Sequence, residues 1–253
     1  MAKKLSIALA GNPNSGKTTV FNALTGARRH VANYPGVTVE EKTGARRYKG
    51  YDISVVDLPG TYSLTAYSIE ELAARNCIID RHPDVVVDII DSSNIERNLY
   101  LATQLMEMNV PLVLAFNMSD VAKQKGLTFD IDTLAQLLGA PIVMMVGNKG
   151  EGLDELLETV VQLAERGPTR PINRLHYGDE IEEELARIQA DLDTEHELVE
   201  KYGKRWLALK LLENDKEIIE KGHSERVLQT VETSRRHIAA ISVSYTHLTL
   251  PTN

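Results

Sequence analysis

Over residues 1 to about 167, short apolar runs alternate with amphipathic segments. The runs are of strand length, many are rich in β-branched residues, and polar or glycine-containing turns follow them. They predict five strands: Leu5–Ala10, Ile53–Asp57, Val85–Ile90, Leu112–Phe116 and Ile142–Val146. Strands that alternate with helices at this spacing favour a mainly parallel sheet with helices on both faces.

The amphipathic segments between these strands predict helices, several of which end at a glycine. They are Lys17–Thr25, Ile69–Asp80, Glu96–Asn109, Ile131–Leu138 and Leu153–Glu165. The more amphipathic Thr38–Tyr48 predicts a sixth strand, at an edge of the sheet and antiparallel to its neighbour. The first part of the chain is therefore predicted to be a six-stranded α/β domain.

The pattern changes after Gly167–Pro171, a stretch typical of a linker. Apolar residues beyond it recur at helical spacing, and strand-like runs disappear, so we predict a small all-helical domain over residues 168–241. Residues 242–253 carry no charge, and we expect a non-native or disordered tail that continues no helix. The predicted domains are thus 1–167, 168–241 and the tail.

Composition narrows the classes of protein. The 253 residues carry 28 basic and 36 acidic side chains, 28 − 36 = −8, which argues against binding nucleic acid through non-specific charge. The absence of about 18 consecutive apolar residues argues against a membrane helix. A single cysteine, Cys77, excludes an internal disulfide and fits a reducing cytosol, and we expect it to pack in a helix.

A phosphate-binding loop follows the first predicted strand. Gly11, Asn12, Pro13, Asn14, Ser15, Gly16, Lys17 and Thr18 match the pattern G-x-x-x-x-G-K-[ST], and Thr19 continues into the helix. The glycines let backbone N–H groups approach a phosphate, together with the helix N-terminus. Lys17 places a cation on the β- and γ-phosphates, and the Thr18 hydroxyl is a hard oxygen ligand for Mg²⁺.

Three further segments identify the base as guanine. Asp57, Leu58, Pro59 and Gly60 end a strand, where the carboxylate can hold Mg²⁺ through a water and the Gly60 N–H can meet a γ-phosphate. Asn117, Met118 and Asp120 belong to an N-x-x-D motif, whose carboxylate accepts hydrogen bonds from guanine. Val146, Gly147 and Asn148 are expected to offer N–H groups to the base. All lie where open α/β sheets bind ligands.

A loop between the first helix and the next strand is a candidate switch. It contains Gly36, Val37 and Thr38, and the Thr38 hydroxyl would join Mg²⁺ only when a γ-phosphate is present. Thr61 follows Gly60 at the position where Ras-type GTPases carry a water-orienting glutamine. We therefore expect slow hydrolysis of GTP.

These segments together resemble a known family. The stretches GNPNSGKTTVFNALTG, NYPGVTVE, DLPGTYSL, NIERNLYL and NMSD, with HYGDEIEEEL and KRWLALKLLE further on, are similar to the ferrous iron transport protein B family of bacteria. The resemblance covers the chain to about residue 241. It implies a cytosolic GTPase domain of P-loop fold, followed by a helical domain that links it to a membrane pore.

The resemblance also implies partners and cofactors. They are GTP and GDP with Mg²⁺, the membrane-spanning portion of the same transporter, and small cytosolic accessory proteins; nucleic acid is not expected. A homo-oligomer stays open. The implied location is the cytoplasmic face of the bacterial inner membrane, with this fragment itself soluble.

Potassium is an expected activator. The resemblance implies that Asn14 belongs to the potassium-activated G proteins, and its neutral side-chain carbonyl suits a large monovalent ion. That ion would take the place of an arginine finger beside the phosphates. The predicted catalytic residues are Asn14, Lys17, Thr38 and Gly60, and the predicted metal ligands are Thr18, Thr38 and Asp57 for Mg²⁺ and Asn14 for K⁺.

Two alternatives remain on the residues alone. An RNA-associated GTPase would call for a basic appended domain, yet residues 168–253 carry 12 basic and 16 acidic side chains, 12 − 16 = −4. The other alternative is a nucleotide-gated binding module with negligible turnover.

A separate expectation concerns Asp88, which lies inside an apolar strand. Burial of a carboxylate is costly, so we expect Asp88 at a sheet end or with a partner.

Overall fold

The computed structural model describes residues 2–26, 29–34, 37–65, 67–166 and 175–249, and the side chains of all of these except 29 and 242–249. Two compact units divide the chain, Met1–Arg174 and Leu175–Asn253. The predicted linker at 167–171 lies outside the described residues. No helix of the described part of the chain is long and apolar enough to cross a membrane.

The first unit contains a seven-stranded sheet. Its strands are β1 (Lys3–Gly11), β2 (Arg29–Asn33), β3 (Glu40–Tyr48), β4 (Tyr51–Asp57), β5 (Val85–Asp91), β6 (Leu112–Asn117) and β7 (Ile142–Met144). They are ordered β2-β3-β4-β1-β5-β6-β7. The five strands from β4 to β7 are parallel, whereas β3 is antiparallel to both of its neighbours.

The mainly parallel α/β architecture is confirmed, and the prediction of six strands is wrong by one. The additional strand is β2, which takes the sheet edge that the sequence pattern predicts for the segment Thr38–Tyr48. That segment forms β3, antiparallel as expected but internal to the sheet. The sequence of β2, RHVAN, has no alternation of apolar and polar residues. The side chains of residues 30–33 are exposed, so no face of this strand has to be apolar.

Helices cover both faces of the sheet. They are α1 (Lys17–Thr25), α2 (Ile69–Arg81), α3 (Ile95–Glu107), α4 (Ser119–Gln124), α5 (Ile131–Leu138) and α6 (Leu153–Arg166). One apolar cluster joins α1 and α6 to the residues of β1 that include Leu5, Ile7 and Leu9. A second cluster joins α2 and α3 to Ala8 and Ala10 on the opposite face, as strand alternation requires.

Local signals explain where these helices begin and end. Ser68 caps α2 in a reciprocal box with Glu71, and Asp130 caps α5 by accepting from Thr133 N at 3.1 Å. Gly139 ends α5 in the left-handed conformation, at φ 64°. Cys77 is buried in α2 as expected, and burial raises the pKa of its thiol to about 11.

The second unit is helical in its described residues, from 175 to 249. Its helices are α7 (Asp179–Asp191), α8 (His196–Tyr202), α9 (Lys204–Leu212), α10 (Lys216–Ile219) and α11 (Glu225–Thr249). The acidic start of α7 contains Glu182. Arg205 of α9 donates two hydrogen bonds to its carboxylate, from Nη1 to Oε2 at 2.7 Å and from Nη2 to Oε1 at 2.9 Å. This pair holds the pKa of Glu182 down, to about 2.

Helix α11 corrects the expectation for the tail. It runs to Thr249, so residues 242–249 continue the helix that precedes them. The prediction that this segment continues no helix is wrong for residues 242–249, and residues 250–253 lie outside the described residues.

The expectation for Asp88 is also wrong. Asp88 lies in the middle of β5, paired in register with Ala10 of β1 and Leu114 of β6, and is 1% exposed. Its Oδ2 atom has no hydrogen-bond partner among the described residues. The carboxyl group is therefore neither at a sheet end nor compensated.

Candidate nucleotide-binding site

The phosphate loop connects β1 to α1 and wraps around a cavity of about 350 Å³. Backbone conformation explains its glycines: Gly11 has φ 152° and Gly16 has φ 87°, values that L side chains rarely adopt. A Cβ on Gly16 would also come within 2.2 Å of Asn117 Nδ2. The cavity wall brings together most of the predicted phosphate-binding residues: Asn12, Pro13, Asn14, Gly16, Lys17, Thr18, Thr19 and Gly60.

Two buried polar atoms of this loop are left without a partner. Asn12 Oδ1 and Ser15 Oγ make no hydrogen bond to any described residue. Buried polar groups are nearly always satisfied in folded proteins, so such atoms call for an explanation such as a ligand or water. Their place in a loop around an open cavity is consistent with a ligand-binding loop.

Lys17, which lines the cavity, forms an ion pair with Asp57, which is not among the lining residues. Lys17 Nζ contacts Asp57 Oδ1, and both side chains are almost fully buried. Tyr34 supports Asp57 from the other side, since its hydroxyl donates to the Asp57 carbonyl oxygen at 3.0 Å. The lysine of the phosphate loop and the carboxylate of the D-x-x-G segment are thus adjacent.

The chain after Asp57 passes close to the phosphate loop. A Cβ on Gly60 would lie 3.6 Å from Pro13 Cα, in ordinary van der Waals contact, so no neighbouring group forbids a side chain there. Leu58 is anchored in the core by its N–H, which donates to Leu9 O at 3.0 Å. Pro59 lies between them, and Gly60 is exposed and faces the cavity.

Asn117 connects three segments of the site. Its Nδ2 donates to Ser15 O at 2.9 Å, and its Oδ1 accepts from Gly147 N at 2.8 Å. The side chain is buried at the end of β6, so the bonds hold the phosphate loop and the loop after β7 in fixed relation. Sequence reasoning placed Asn117 at the base, whereas the structure gives it this joining role.

Asp120 is the second residue of α4, which follows Met118, a residue in the left-handed conformation at φ 57°. Asp120 Oδ2 accepts from Lys149 Nζ at 2.9 Å, and Oδ1 accepts from the backbone N–H of Val121 at 3.0 Å. The Lys149 ammonium lowers the pKa of Asp120. Sequence reasoning missed Lys149; its place one residue after the predicted base loop was the available signal.

The base loop itself differs from the prediction. Val146 N donates to Glu151 O at 3.1 Å, and Gly147 N donates to Asn117 Oδ1. The prediction that these two residues offer free N–H groups is therefore wrong. Asn148 is exposed, and its N–H has no partner among the described residues, so it alone of the three keeps the predicted donor free.

The candidate switch is partly described. Gly36 lies outside the described residues. Val37 N donates to Tyr34 O at 3.2 Å, which turns the chain before β3, and Thr38 is exposed in the bend that follows. Thr38 is not among the described residues that line the cavity, so the structure does not bring it to the other predicted metal ligands.

A phosphate loop, an adjacent D-x-x-G carboxylate and an N-x-x-D segment all follow the carboxyl ends of strands in a mainly parallel sheet. This arrangement defines a G domain, the GTP-binding domain of P-loop GTPases. Comparison with known families agrees. Residues 5–160 match the family described as Ferrous iron transport protein B, and residues 177–245 match the FeoB cytosolic helical domain. The chain belongs to the ferrous iron transport protein B family.

Individual relatives support this assignment. A fusion protein of Fe(2+) transport protein A and Fe(2+) transporter FeoB from Porphyromonas gingivalis is 46% identical over 217 residues, which are 85% of this chain and 26% of that protein. A GDP-bound variant of the S. thermophilus FeoB G domain has a TM-score of 0.86 at 35% identity, covering 94% of this chain and 90% of that one.

The T. maritima FeoB cytosolic domain in its GMPPNP form has a TM-score of 0.81 at 37% identity, covering 95% of this chain and 98% of that one. The chain spans 26–30% of the length of curated relatives that it matches.

Proposed function

We propose that this chain binds GTP and GDP with Mg²⁺, hydrolyses GTP slowly, and couples the state of the nucleotide to Fe(II) uptake by a bacterial membrane transporter. The carrying observation is the phosphate loop with its cavity, where Lys17 and Asp57 are paired beside two unsatisfied buried polar atoms. The GDP and GMPPNP forms of the relatives support the choice of ligand.

The donor set suits Mg²⁺. The ion is bound in such sites by one or two protein oxygens together with phosphate oxygens and waters. Thr18 lines the cavity, and the Asp57 carboxylate contacts Lys17, which also lines it. The ion would neutralise charge on the phosphates. Lys17 must exchange its contact with Asp57 for phosphate oxygens, and Thr38 must move in from its exposed bend to become a ligand.

Asp120 is the residue proposed to select guanine. A carboxylate accepts from the N1–H and the 2-amino group of guanine, and it must be ionised to do so with both oxygens. Lys149 favours this ionised form. Asn148, with its free N–H, is the remaining donor of the base loop.

Hydrolysis is proposed to depend on potassium. Thr61 replaces the water-orienting glutamine and is buried, so it cannot reach a water in the cavity without moving. Asn14 is exposed on the cavity wall at φ 68°, and its side-chain carbonyl is a neutral oxygen. A potassium ion held there would supply positive charge near the phosphates.

The wider setting follows from the relatives. Because the chain spans about a quarter to a third of their length, the proposed partner is the membrane-spanning remainder of the same transporter. The proposed place is the cytoplasmic face of the bacterial inner membrane. Small cytosolic accessory proteins and a second copy of the chain are further proposed partners, and nucleic acid is not.

The test compares GTP turnover in potassium and in sodium at matched ionic strength. We expect GTP turnover to be much faster in potassium than in sodium. Asn14→Ala should lose most of this difference between the two salts while it keeps its affinity for GDP. Asn22→Ala, a change on α1 outside the residues that line the cavity, is the control. Equal rates in both salts would rule out potassium activation.

One observation favours a second function, a nucleotide-gated binding module with negligible turnover. Thr61 is buried, and the neighbouring Tyr62 is stacked on Arg97, so neither is poised to orient water. Single-turnover GTP hydrolysis separates the two functions, because a module without catalysis leaves bound GTP intact. Fe(II) uptake by the full-length transporter, with and without hydrolysable GTP, tests the coupling.

A further inference from the structure

Helix α3 holds the segment that follows Gly60. The guanidinium carbon of Arg97 lies 3.9 Å from the centre of the Tyr62 ring, a close cation–π contact. Leu64, two residues after Tyr62, donates its N–H to the side-chain oxygen of Gln104 in the same helix. Arg97 and Gln104 are seven residues apart, about two helical turns, so they lie on the same face of α3.

The same arginine is also tied to the phosphate loop. Asn12 Nδ2 donates to the backbone oxygen of Arg97 at 3.2 Å, and Asn12 is buried. The start of α3 therefore contacts the phosphate loop through its backbone and the segment after Gly60 through its side chain. This places one residue between the two loops that surround the cavity.

We propose that Arg97 is a positioning residue for the γ-phosphate. It stacks on Tyr62 and thereby keeps Gly60, two residues earlier, at the cavity wall with its N–H available. The inference rests on the proposed binding of GTP. Neither the guanidinium nor the Tyr62 ring contacts the nucleotide in this role; both act through the backbone of Gly60.

The physical reason is the entropy of the loop. Gly60 has no side chain to anchor it, and a segment released from α3 must be ordered again before its N–H can meet a phosphate. With Arg97 in place, most of that ordering precedes binding. GDP has no γ-phosphate, so its affinity does not depend on Gly60.

The experiment measures GDP and GMPPNP affinities for the whole chain, in Mg²⁺, for Arg97→Ala and Tyr62→Leu. We expect GMPPNP to bind about two- to fivefold more weakly in each variant, the range of an exposed cation–π contact, while GDP affinity is unchanged. Tyr62→Phe keeps the ring and should retain wild-type affinity. The double variant should lose no more than either single one, because both break the same contact.

Arg47→Ala is the matched control, since Arg47 pairs with Asp52 on the β3–β4 hairpin and has no role here. Equal weakening of GDP and GMPPNP in Arg97→Ala, or additive losses in the double variant, would overturn the proposal and indicate a general structural role. Unchanged GMPPNP affinity would overturn it as well. Failure of the unmodified chain to bind GDP would instead contradict the proposed function.

Discussion

Asp88 makes the stability of the sheet dependent on pH. Its carboxyl group lies at the centre of β5 between two neighbouring parallel strands, and desolvation raises its pKa from 3.8 to about 7. In the unfolded chain the group is in water and has its ordinary pKa. Between these values the folded state binds a proton that the unfolded state has lost.

The difference between the two pKa values of Asp88 sets the sign and the magnitude of the change in the free energy of unfolding with pH. Below about pH 4 the carboxyl group is protonated in both states and contributes no pH dependence. As pH rises from 4 to about 7, the free energy of unfolding falls, and above 7 the full cost of the buried charge is present. A rise from 3.8 to about 7, at about 1.4 kcal/mol per pH unit, corresponds to about 4 kcal/mol.

The substitution Asp88→Asn tests the reasoning. The amide has nearly the same shape and cannot ionise, so the variant should gain little over wild type at pH 4 and about 4 kcal/mol above pH 7. Urea unfolding from pH 4 to 8 should be followed by hydrogen exchange of the β5 amides. The fluorescence of Trp206 is unsuitable because that residue lies in the other unit.

The control is Glu155→Gln, an exposed acid of α6 whose loss should leave the pH profile unchanged. If the gain from Asp88→Asn is the same at pH 5 and pH 8, the carboxyl group does not titrate between them. In that case the pKa of Asp88 is not raised by burial, and the reasoning is refuted.

Three further predictions concern the nucleotide. Asp120→Asn should weaken GTP binding and strengthen binding of xanthosine triphosphate, measured by competition; unchanged GTP affinity would remove Asp120 from the base site. Thr38→Ala should slow hydrolysis while GDP affinity stays near wild type, because its hydroxyl is proposed to bind Mg²⁺ only with a γ-phosphate; an equal loss of GDP affinity would indicate a role in the fold. A chain that ends at Arg166 should still bind GTP with altered GDP affinity, by titration; identical affinities would leave the helical unit without influence on the nucleotide.

Local sequence determined most of the α/β framework. Apolar strand-length runs and amphipathic helices differ in period, and glycine stops mark several helix ends, so five parallel strands and five helices could be read directly. The phosphate loop is equally local, because Gly11, Gly16 and Lys17 act through backbone conformation and one charge at fixed spacing. These are properties that a short segment carries wherever the chain places it.

Strand β2 and the position of Asp88 depended on the rest of the molecule. Arg29–Asn33 has no strand pattern of its own and becomes a strand by pairing with β3. The apolar segment around Asp88 predicts a strand correctly. Whether the Asp88 carboxyl group finds a partner depends on the side chains that the neighbouring strands and α3 bring to its face of the sheet. Neither outcome is encoded within a window of a few residues.

The connections within the site were decided only by tertiary structure. Asn117 joins the phosphate loop to Gly147, Lys149 contacts Asp120, and Arg97 contacts Tyr62. The paired residues are 29 to 102 positions apart along the chain. A motif names a residue type at a spacing, whereas a hydrogen bond or an ion pair needs two atoms within about 3 Å of each other. Only the packing of strands and helices around a common core brings distant atoms to that distance.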